Sequence, residues 1–291
     1  MQGMTYEQGL PKHRKGKFRF GRALIYAGVG LYCLSSVLAF SWVFMISLKT
    51  TTEFLTTSPW ALPAVPQFEN YLTAWNKAKI GVYFGNSILT SVAGATISVF
   101  ISSLAAYVIA RVPFKFNGLF GNYFLIGYMV PAMLTIIPLF FMMVNLGLNK
   151  GLFPLILIYI AAGFPFNTFV LRGFFESLPS ELEEAATVDG ASPFRVFWQI
   201  MLPLAWPGLV STFLINFLSL WNEFFLALIF LRAEDATLPL GLFYMAQKAL
   251  YSAQWTDLFA GILIVSVPVL IVFALLQDQI TRGMTSGALK G

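Results

Sequence analysis

The sequence is poor in charged residues. Lysine, arginine, aspartate and glutamate make up 11% of its 291 residues, whereas a typical soluble domain has about 25%. Apolar residues make up 58% of the chain and aromatic residues 16%. This composition excludes a cytosolic enzyme, a nucleic-acid-binding domain and a disordered regulator, and it indicates an integral membrane protein.

Cysteine and histidine, which often bind metals or act as nucleophiles and bases, are also scarce. There is one cysteine, Cys33, and one histidine, His13, so neither an intrachain disulfide nor a Cys/His metal cluster can form. A glycine-rich phosphate loop ending in Gly-Lys-Ser or Gly-Lys-Thr is absent from the sequence. We therefore expect no catalytic residue, metal or cofactor in this chain, and no ATP site of that kind.

Long apolar segments account for most of the chain. A helix needs about 20 apolar residues to cross the hydrocarbon core of a membrane. Six segments meet this requirement: Leu24–Leu48, Ser87–Ala110, Leu119–Val144, Leu152–Leu171, Gly208–Leu231 and Leu258–Gln277. Glu223 is the one charged residue inside them. The sequence predicts an all-α polytopic membrane protein with a six-helix domain, 24–278, between a basic N-terminal tail, 1–23, and a C-terminal tail, 279–291.

The distribution of positive charge predicts the orientation. Of the 18 lysines and arginines, twelve fall in tails and connections that would share one side of the membrane. Positive residues accumulate on the cytoplasmic side of membrane proteins. We therefore expect both termini and the connection 173–207 in the cytoplasm, with the connections 49–86 and 232–257 outside. The connection 49–86 is expected to be extended.

Two features of the predicted spans concern helix packing. Small residues in the second span recur at three- and four-residue steps, which lets helices approach closely in lipid: Ser87, Ser91, Ala95, Ser98, Ser102 and Ala106. We call them the small-residue stripe. Prolines in the third, fourth and sixth spans predict kinks, which either serve ordinary packing or line a cavity: Pro131, Pro138, Pro154, Pro165 and Pro268. Asn86 and Asn167 are expected to form hydrogen bonds at helix ends or between helices.

The connection 173–207 is predicted to contain two short helices joined by a tight turn. Ser180 and Glu183 have the spacing of a capping box at the start of the first helix. Gly190 suits the left-handed conformation that ends it. Ser192 suits the N-cap of the second helix.

The second of these helices carries an apolar stripe that needs a partner. Its members recur at helical spacing: Phe194, Phe197, Trp198 and Met201. The stripe can lie against the chain's own membrane helices, or it can dock into a groove of a separate cytosolic protein. The pattern by itself favours neither interpretation.

The same connection carries a family signature. The run Glu184-Ala185-Ala186-x3-Gly190-x9-Ile200-x-Leu202-Pro203, with Asp189 before the glycine, resembles the EAA motif of permease subunits in bacterial ATP-binding-cassette importers. We call residues 173–207 the EAA loop. Other segments resemble the carbohydrate branch of that family, and the chain end resembles its maltose-type six-span permease: Asn70-Tyr71, Ala106-Tyr107-x3-Arg111, Trp221-Asn222 and Ser286–Gly291.

The resemblance implies a MetI-like fold and a place in the bacterial inner membrane, in contact with lipid. It also implies a second, homologous permease subunit and two ATPase subunits that bind ATP and magnesium. A periplasmic or surface-bound binding protein would deliver a carbohydrate to the outer connections. No nucleic acid is expected as a partner. An oligosaccharide is the class of sugar that the branch suggests, and the residues leave an oligouronide open.

The resemblance also assigns roles within the EAA loop. The first short helix would be the coupling helix, which sits in a cleft of the ATPase. Glu184 would make a polar contact there, Ala185 and Ala186 would allow close packing, and Gly190 would permit the sharp turn. The resemblance further places the chain end, after Arg282, along the ATPase interface.

Two polar residues of the fifth span are candidates for the translocation pathway. Asn222 and Glu223 are expected in the outer half of the membrane. A carboxylate at the membrane centre costs about 3 kcal/mol unless it faces water or a partner. These residues either line the path of the sugar or hold helices together.

Two other classes of function fit the sequence less well. A six-span secondary transporter or channel would need intramembrane charges for ion coupling, and Glu223 alone is available. An intramembrane enzyme would need a catalytic constellation that the sequence does not contain. Neither class accounts for the EAA motif, and ATP dependence of uptake would separate an importer from a secondary transporter.

Overall fold

The computed structural model describes the backbone of residues 17–288 and the side chains of residues 21–275. Every regular element in residues 17–288 is helical, which confirms the all-α prediction. The helices are α1 (Lys17–Ser47), α2 (Thr51–Thr56), α3 (Glu69–Leu72), α4 (Ile80–Arg111), α5 (Asn117–Met129), α6 (Ala132–Asn145), α7 (Leu152–Ser177), α8 (Glu181–Val188), α9 (Pro193–Val196), α10 (Leu202–Leu204), α11 (Trp206–Trp221), α12 (Phe225–Phe230), α13 (Leu238–Ser252) and α14 (Trp255–Ala288). Two π-turns and a 3₁₀-turn complete the helical elements: Thr73–Lys77, Phe197–Met201 and Ala233–Asp235.

Among the described helices, four are long and apolar enough to cross a membrane: α1, α4, α7 and α14. Two bent pairs bring the number of candidate spans to six, namely α5 with α6, and the segment Pro193–Leu204 with α11. The six-span architecture is confirmed. In the second pair, α11 belongs to the fifth predicted span, whereas Pro193–Leu204 lies in the connection predicted to be cytoplasmic. The helix α14 continues to Ala288 through most of the predicted C-terminal tail. Most of the predicted N-terminal tail, 1–16, and the last residues, 289–291, lie outside the described part of the chain.

The third span is not the single helix predicted over Leu119–Val144. The axes of α5 and α6 meet at 98°. Val130 and Pro131, between them, are extended, with ψ of 121° and 123°. Proline has no N–H for the helical ladder and disfavours helical geometry in the residue before it. The helices α7 and α14 nevertheless continue through Pro165 and Pro268.

The fifth span, predicted over Gly208–Leu231, is also interrupted. The helix α11 ends at Trp221, and α12 begins only at Phe225. The carboxylate of Glu223 accepts hydrogen bonds from the N–H groups of Leu226 and Ala227 in the first turn of α12. A side chain that caps the next helix in this way favours a break in the preceding one.

The small-residue stripe confirms its predicted role in packing. All of its members are buried, and the most extensive helix contact in the described chain is between α4 and α7. Ser98 Oγ donates to the carbonyl of Ile160 at 2.9 Å, and Ser102 Oγ donates to that of Phe164 at 3.3 Å. Asn167 Nδ2 donates to Ser98 Oγ at 3.0 Å, so Asn167 bonds between helices as predicted. The two helices therefore form one closely packed unit.

The two connections predicted to lie outside are more structured than expected from the sequence. The connection 49–86 is not extended, since it contains α2, α3 and a π-turn. Asn70 Nδ2 donates to the carbonyls of Ser47 and Lys49, at 2.8 and 2.9 Å, and so satisfies the C-terminal end of α1. Buried Lys49 donates from Nζ to the carbonyl of Ser58 at 3.1 Å.

The connection 232–257 is built around α13 and is fixed to α4 at its start. Asn86 Nδ2 donates to the carbonyl of Ala236 at 3.1 Å, so Asn86 bonds to the segment before α13 rather than to another helix as expected. The N–H of Leu238 donates to Ser87 Oγ at 2.8 Å. The far end of α13 remains at the surface.

Candidate functional sites: the EAA loop and a central cavity

The EAA loop forms the two helices predicted for it, α8 and the segment Pro193–Leu204. Gly190, between them, has φ of +81°, which confirms the left-handed turn. Ser192 Oγ accepts from the N–H of Arg195 at 3.4 Å, which confirms the N-cap. The predicted capping box is wrong, because Ser180 has helical dihedral angles and its side chain makes no capping hydrogen bond.

Glu183 takes part in a different interaction, beneath the loop. Its carboxylate lies 3.9 Å from Nε of Arg111, and the two side chains are 18% and 11% exposed. It also lies beside the hydroxyl of Tyr107. Arg111 donates to the carbonyls of Phe175, at 3.0 Å from Nε, and of Leu178, both at the C-terminal end of α7. The Phe175 carbonyl also accepts from the N–H of Leu178 at 3.2 Å. We call this set the Arg111 junction; it joins the ends of α4 and α7 to the first turn of α8.

The apolar stripe of the second helix is divided between two environments. Phe197 and Met201 are buried against residues of α4 and α7. Phe194 is 71% exposed and Trp198 is 38% exposed. The interpretation that the stripe lies against the chain's own helices therefore holds for Phe197 and Met201. Trp198 makes a partial contact of this kind, since its ring lies 5.8 Å from that of Phe100 in α4.

The motif residues divide in the same way. Ala186 is buried, and Ile200 and Leu202 are half-buried against the same core. The remaining motif residues are exposed: Glu184, Ala185, Asp189, Gly190 and Pro203. Val188, beside the turn, is 87% exposed. The loop thus presents apolar and acidic side chains together at its tip.

A cavity of about 610 Å³ lies between the bent third span, α7 and α11. The break at Pro131 places both α5 and α6 on its wall, so the cavity interpretation of the prolines holds for this one. Most lining side chains are apolar. Those with polar side-chain atoms are Tyr128, Thr135, Tyr159, Asn216, Ser219 and Glu223.

Glu223 holds the broken fifth span against α7. Its Oε2 accepts from the hydroxyl of Tyr159 at 2.9 Å and from the N–H of Ala227 at 3.1 Å. Its Oε1 accepts from the N–H of Leu226 at 2.7 Å. Glu223 therefore holds helices together, which confirms one of the two interpretations made from the sequence. It also lines a cavity, and that it lines the path of the sugar stays a prediction.

Asn222 is placed differently from its neighbour. It is exposed, lies outside the described lining of the cavity, and donates from Nδ2 to the carbonyl of Leu218 in its own helix at 2.8 Å. The structure brings Glu223, and not Asn222, to the cavity wall.

The roles of Tyr159 and Asn216 and the contact of Arg111 with Glu183 are not evident from the sequence. Tyr159 and Glu223 are 64 positions apart, and no local pattern connects them. Arg111 did carry a signal, because it belongs to a segment that resembles the carbohydrate branch.

Known proteins resemble this chain along most of its length. Residues 98–286 match the family described as binding-protein-dependent transport system inner membrane component. The chain is 38% identical over 269 residues to the permease protein NgcG of the diacetylchitobiose uptake system of Streptomyces coelicolor, covering 92% of this chain and 89% of that protein. It is 33% identical over 254 residues to the permease protein GanQ of the galactooligosaccharides transport system of Bacillus subtilis, covering 86% of this chain and 89% of that protein.

The fold has a close counterpart among solved structures. It is similar to a chain in the crystal structure of a bacterial ABC transporter involved in the import of the acidic polysaccharide alginate. The TM-score is 0.77 and the sequence identity 26%, over 92% of this chain and 99% of the other.

Proposed function

This chain belongs to the family of inner-membrane components of binding-protein-dependent transport systems, as a carbohydrate importer permease, and we propose that separate ATPase subunits drive it through the EAA loop. The sugar is an oligosaccharide in this proposal. The chain forms half of the translocation pathway, and both termini and the EAA loop face the cytoplasm of a bacterial inner membrane.

The divided apolar stripe is the observation that carries the proposal. Phe197 and Met201 anchor the second loop helix on the core, so Phe194 and Trp198 are held at the surface rather than free to fold inward. Clustered apolar side chains that stay exposed outside the membrane favour a contact with another protein. The neighbouring acidic Glu184 suits a partner surface with positive charge.

The Arg111 junction supports a route from the EAA loop into the membrane. A displacement of α8 acts on Glu183, and through Arg111 on the ends of α4 and α7. Because α4 and α7 pack as one unit, they move together as a rigid body. Closure of two ATPase subunits on ATP and magnesium would draw two EAA loops together and turn the pathway from inward-facing to outward-facing.

The cavity supports a second, homologous permease subunit. Its wall carries Asn216, Ser219 and Glu223, polar groups that are costly to leave against lipid hydrocarbon. A second permease subunit packed over the open side would keep lipid away from them. The pathway would then run between two related chains.

The outer surface supports contact with a solute-binding protein. In the connection 49–86, Trp60 and Leu62 are exposed, and at the end of α13, Leu250 and Tyr251 are exposed. Exposed aromatic and aliphatic groups of this kind are common at protein interfaces. These two regions would receive the loaded binding protein.

Affinity purification from membranes tests the proposal. We expect this chain to retain an ATPase subunit and a second multi-span protein. Phe194→Ala and Glu184→Lys should lose the ATPase subunit and keep the second permease. Phe153→Ala, the same change at an exposed aromatic residue in the first turn of α7, is the matched control and should lose neither.

Two results would contradict the proposal. One is recovery of this chain alone together with sugar uptake in cells depleted of ATP, which would favour the secondary transporter. The other is full retention of the ATPase subunit by both EAA-loop variants.

A further inference from the structure

The charge on the wall of the central cavity is negative. Glu223 is an acidic residue of its wall, and the described residues that line it include no lysine, arginine or histidine. Three donors converge on the carboxylate, from Tyr159, Leu226 and Ala227. This arrangement suits an ionised carboxylate, which only accepts hydrogen bonds.

The cavity wall also contains a buried donor that lacks an acceptor. Asn216 is 6% exposed and lines the cavity, and its Nδ2 has no hydrogen-bond partner in the described part of the chain. Gly163 allows this position, because a Cβ atom there would lie 2.8 Å from Nδ2 of Asn216. A buried donor is costly when unpaired, so an acceptor supplied from the cavity would stabilise it.

Aromatic side chains provide the apolar part of the wall. The rings of Tyr128 and Phe166 lie 5.2 Å apart and both line the cavity. Sites for small ligands combine such apolar surfaces with a few well-placed polar groups. Sugar rings match this combination, because they present C–H faces to aromatic rings and hydroxyl groups to amides.

We propose that this cavity is a contact site for an uncharged oligosaccharide, and that the chain disfavours carboxylated sugars such as uronates. Asn216 donates to a sugar oxygen, and the aromatic pair packs against a sugar ring. A uronate would place a second negative charge near Glu223 at low dielectric constant, where like charges repel strongly. The inference rests on the proposed function, since a sugar reaches the cavity only if the chain forms part of the pathway.

Protection of a cysteine from labelling tests the site directly. Ser219→Cys in a Cys33→Ser background places one thiol on the cavity wall of the assembled importer. Labelling by a maleimide is then measured with millimolar diacetylchitobiose, a galactooligosaccharide or an alginate trisaccharide, without the binding protein. We expect the two uncharged sugars to slow labelling and the alginate trisaccharide to leave it unchanged.

Asn216→Ala should raise the half-protecting concentration of the uncharged sugars by roughly 3- to 10-fold, which is the contribution of one hydrogen bond. Asn122→Ala, the same change at an exposed residue outside the described lining, should leave it unchanged. Glu223→Gln should allow the alginate trisaccharide to protect. Thr135→Lys, which adds a cation to the wall without altering the Glu223 contacts, should have the same effect if Glu223→Gln proves unstable.

The inference is overturned if no sugar protects the thiol, if alginate protects as well as uncharged sugars do, or if Asn216→Ala changes nothing. Uptake that still requires ATP and the binding protein would then show that the proposed function stands without a site selective for uncharged sugars in this cavity. Uptake without ATP would instead overturn the proposed function.

Discussion

Gly190 and Gly163 are glycines for different physical reasons. Gly190 has φ of +81° and open space around it, so only its backbone conformation requires glycine. Gly163 has ordinary backbone geometry, and the neighbouring side chains of Ser98 and Asn216 leave no room for a Cβ atom. At Gly190 we therefore expect tolerance of residues that can adopt the left-handed conformation, whatever their size. At Gly163 we expect the size of the side chain to decide.

At Gly190 we expect Gly190→Val to lower sugar uptake strongly while membrane insertion stays intact. A left-handed conformation costs an L-residue about 1–2 kcal/mol, and a β-branched residue is among the least suited to it. Gly190→Asn is the matched control, because asparagine tolerates this conformation, and it should retain more activity. Uptake per inserted molecule is the measurement, and normal uptake in Gly190→Val would contradict the assignment of the turn.

The hydroxyl of Tyr159 is expected to stabilise the broken fifth span. Tyr159→Phe removes the donor to Glu223, and a hydrogen bond to a charged group contributes about 1.5–3 kcal/mol. The purified protein should therefore unfold at a lower temperature. Tyr123→Phe, at an exposed tyrosine, is the control and should unfold like the parent protein. An unchanged unfolding temperature for Tyr159→Phe would show that the bond does not support the fold.

Local rules predicted some residues of the EAA loop and failed for others. Gly190 and Ser192 act through backbone geometry within a few positions, so their roles are readable from sequence. The capping box failed because Glu183 interacts with Arg111 from another helix. A long-range ion pair overrides a local rule that is worth only about 1 kcal/mol.

At the scale of elements, the junction between α4, α7 and α8 rests on one guanidinium group. Arg111 satisfies carbonyls at the end of α7 and lies against the carboxylate of Glu183 in α8. Replacing one partner of a buried pair leaves the other charge uncompensated, at a cost of about 3–5 kcal/mol. The junction is therefore the position where α8 can be released from the membrane helices without altering its outer surface.

We expect Arg111→Gln to uncouple the importer, with ATP hydrolysis continuing and less sugar transported per ATP. The double variant Arg111→Gln with Glu183→Gln should recover part of the coupling, because no buried charge is left unpaired. Arg172→Gln is the control, since Arg172 forms a more exposed pair with Glu176 within one helix. Sugar transported per ATP hydrolysed is measured in liposomes, and an unchanged ratio in Arg111→Gln would contradict the role of the junction.

Apolar composition identified the spans but not their breaks. A bent pair of helices and a straight helix have the same composition, so hydropathy cannot separate them. Proline predicted the position of a break in one span only among these three, because the chain bends by 98° at Pro131 but continues as one helix through Pro165 and Pro268. At the fifth span, the cap that Glu223 supplies depends on its own helix and on Tyr159 of α7, which only the fold reveals.

At the scale of the whole molecule, α7 connects the two candidate sites. Its C-terminal carbonyls belong to the Arg111 junction, and its Tyr159 holds Glu223 at the cavity. Phe175 and Tyr159 are separated by about 24 Å at the helical rise of 1.5 Å per residue. A rigid α7 would therefore transmit motion at the EAA loop to the cavity wall.

Removal of residues 285–291 should lower sugar transport per ATP and leave the six spans intact. The resemblance places the chain end along the ATPase interface, and α14 continues to Ala288. Coupling is measured in liposomes as for Arg111→Gln, and insertion is measured by membrane fractionation. Full coupling in the truncated chain would show that the chain end takes no part in contact with the ATPase.

The bond between Tyr159 and Glu223 has a consequence for biogenesis. Ribosomes synthesise chains from the N-terminus, so α7 enters the membrane before the segment that contains Glu223 emerges. When Glu223 leaves the translocon, the hydroxyl of Tyr159 is therefore already in the membrane and can donate to it. The order of residues along the chain thus shortens the time that this carboxylate spends unpaired in hydrocarbon, where an unpaired carboxylate is costly.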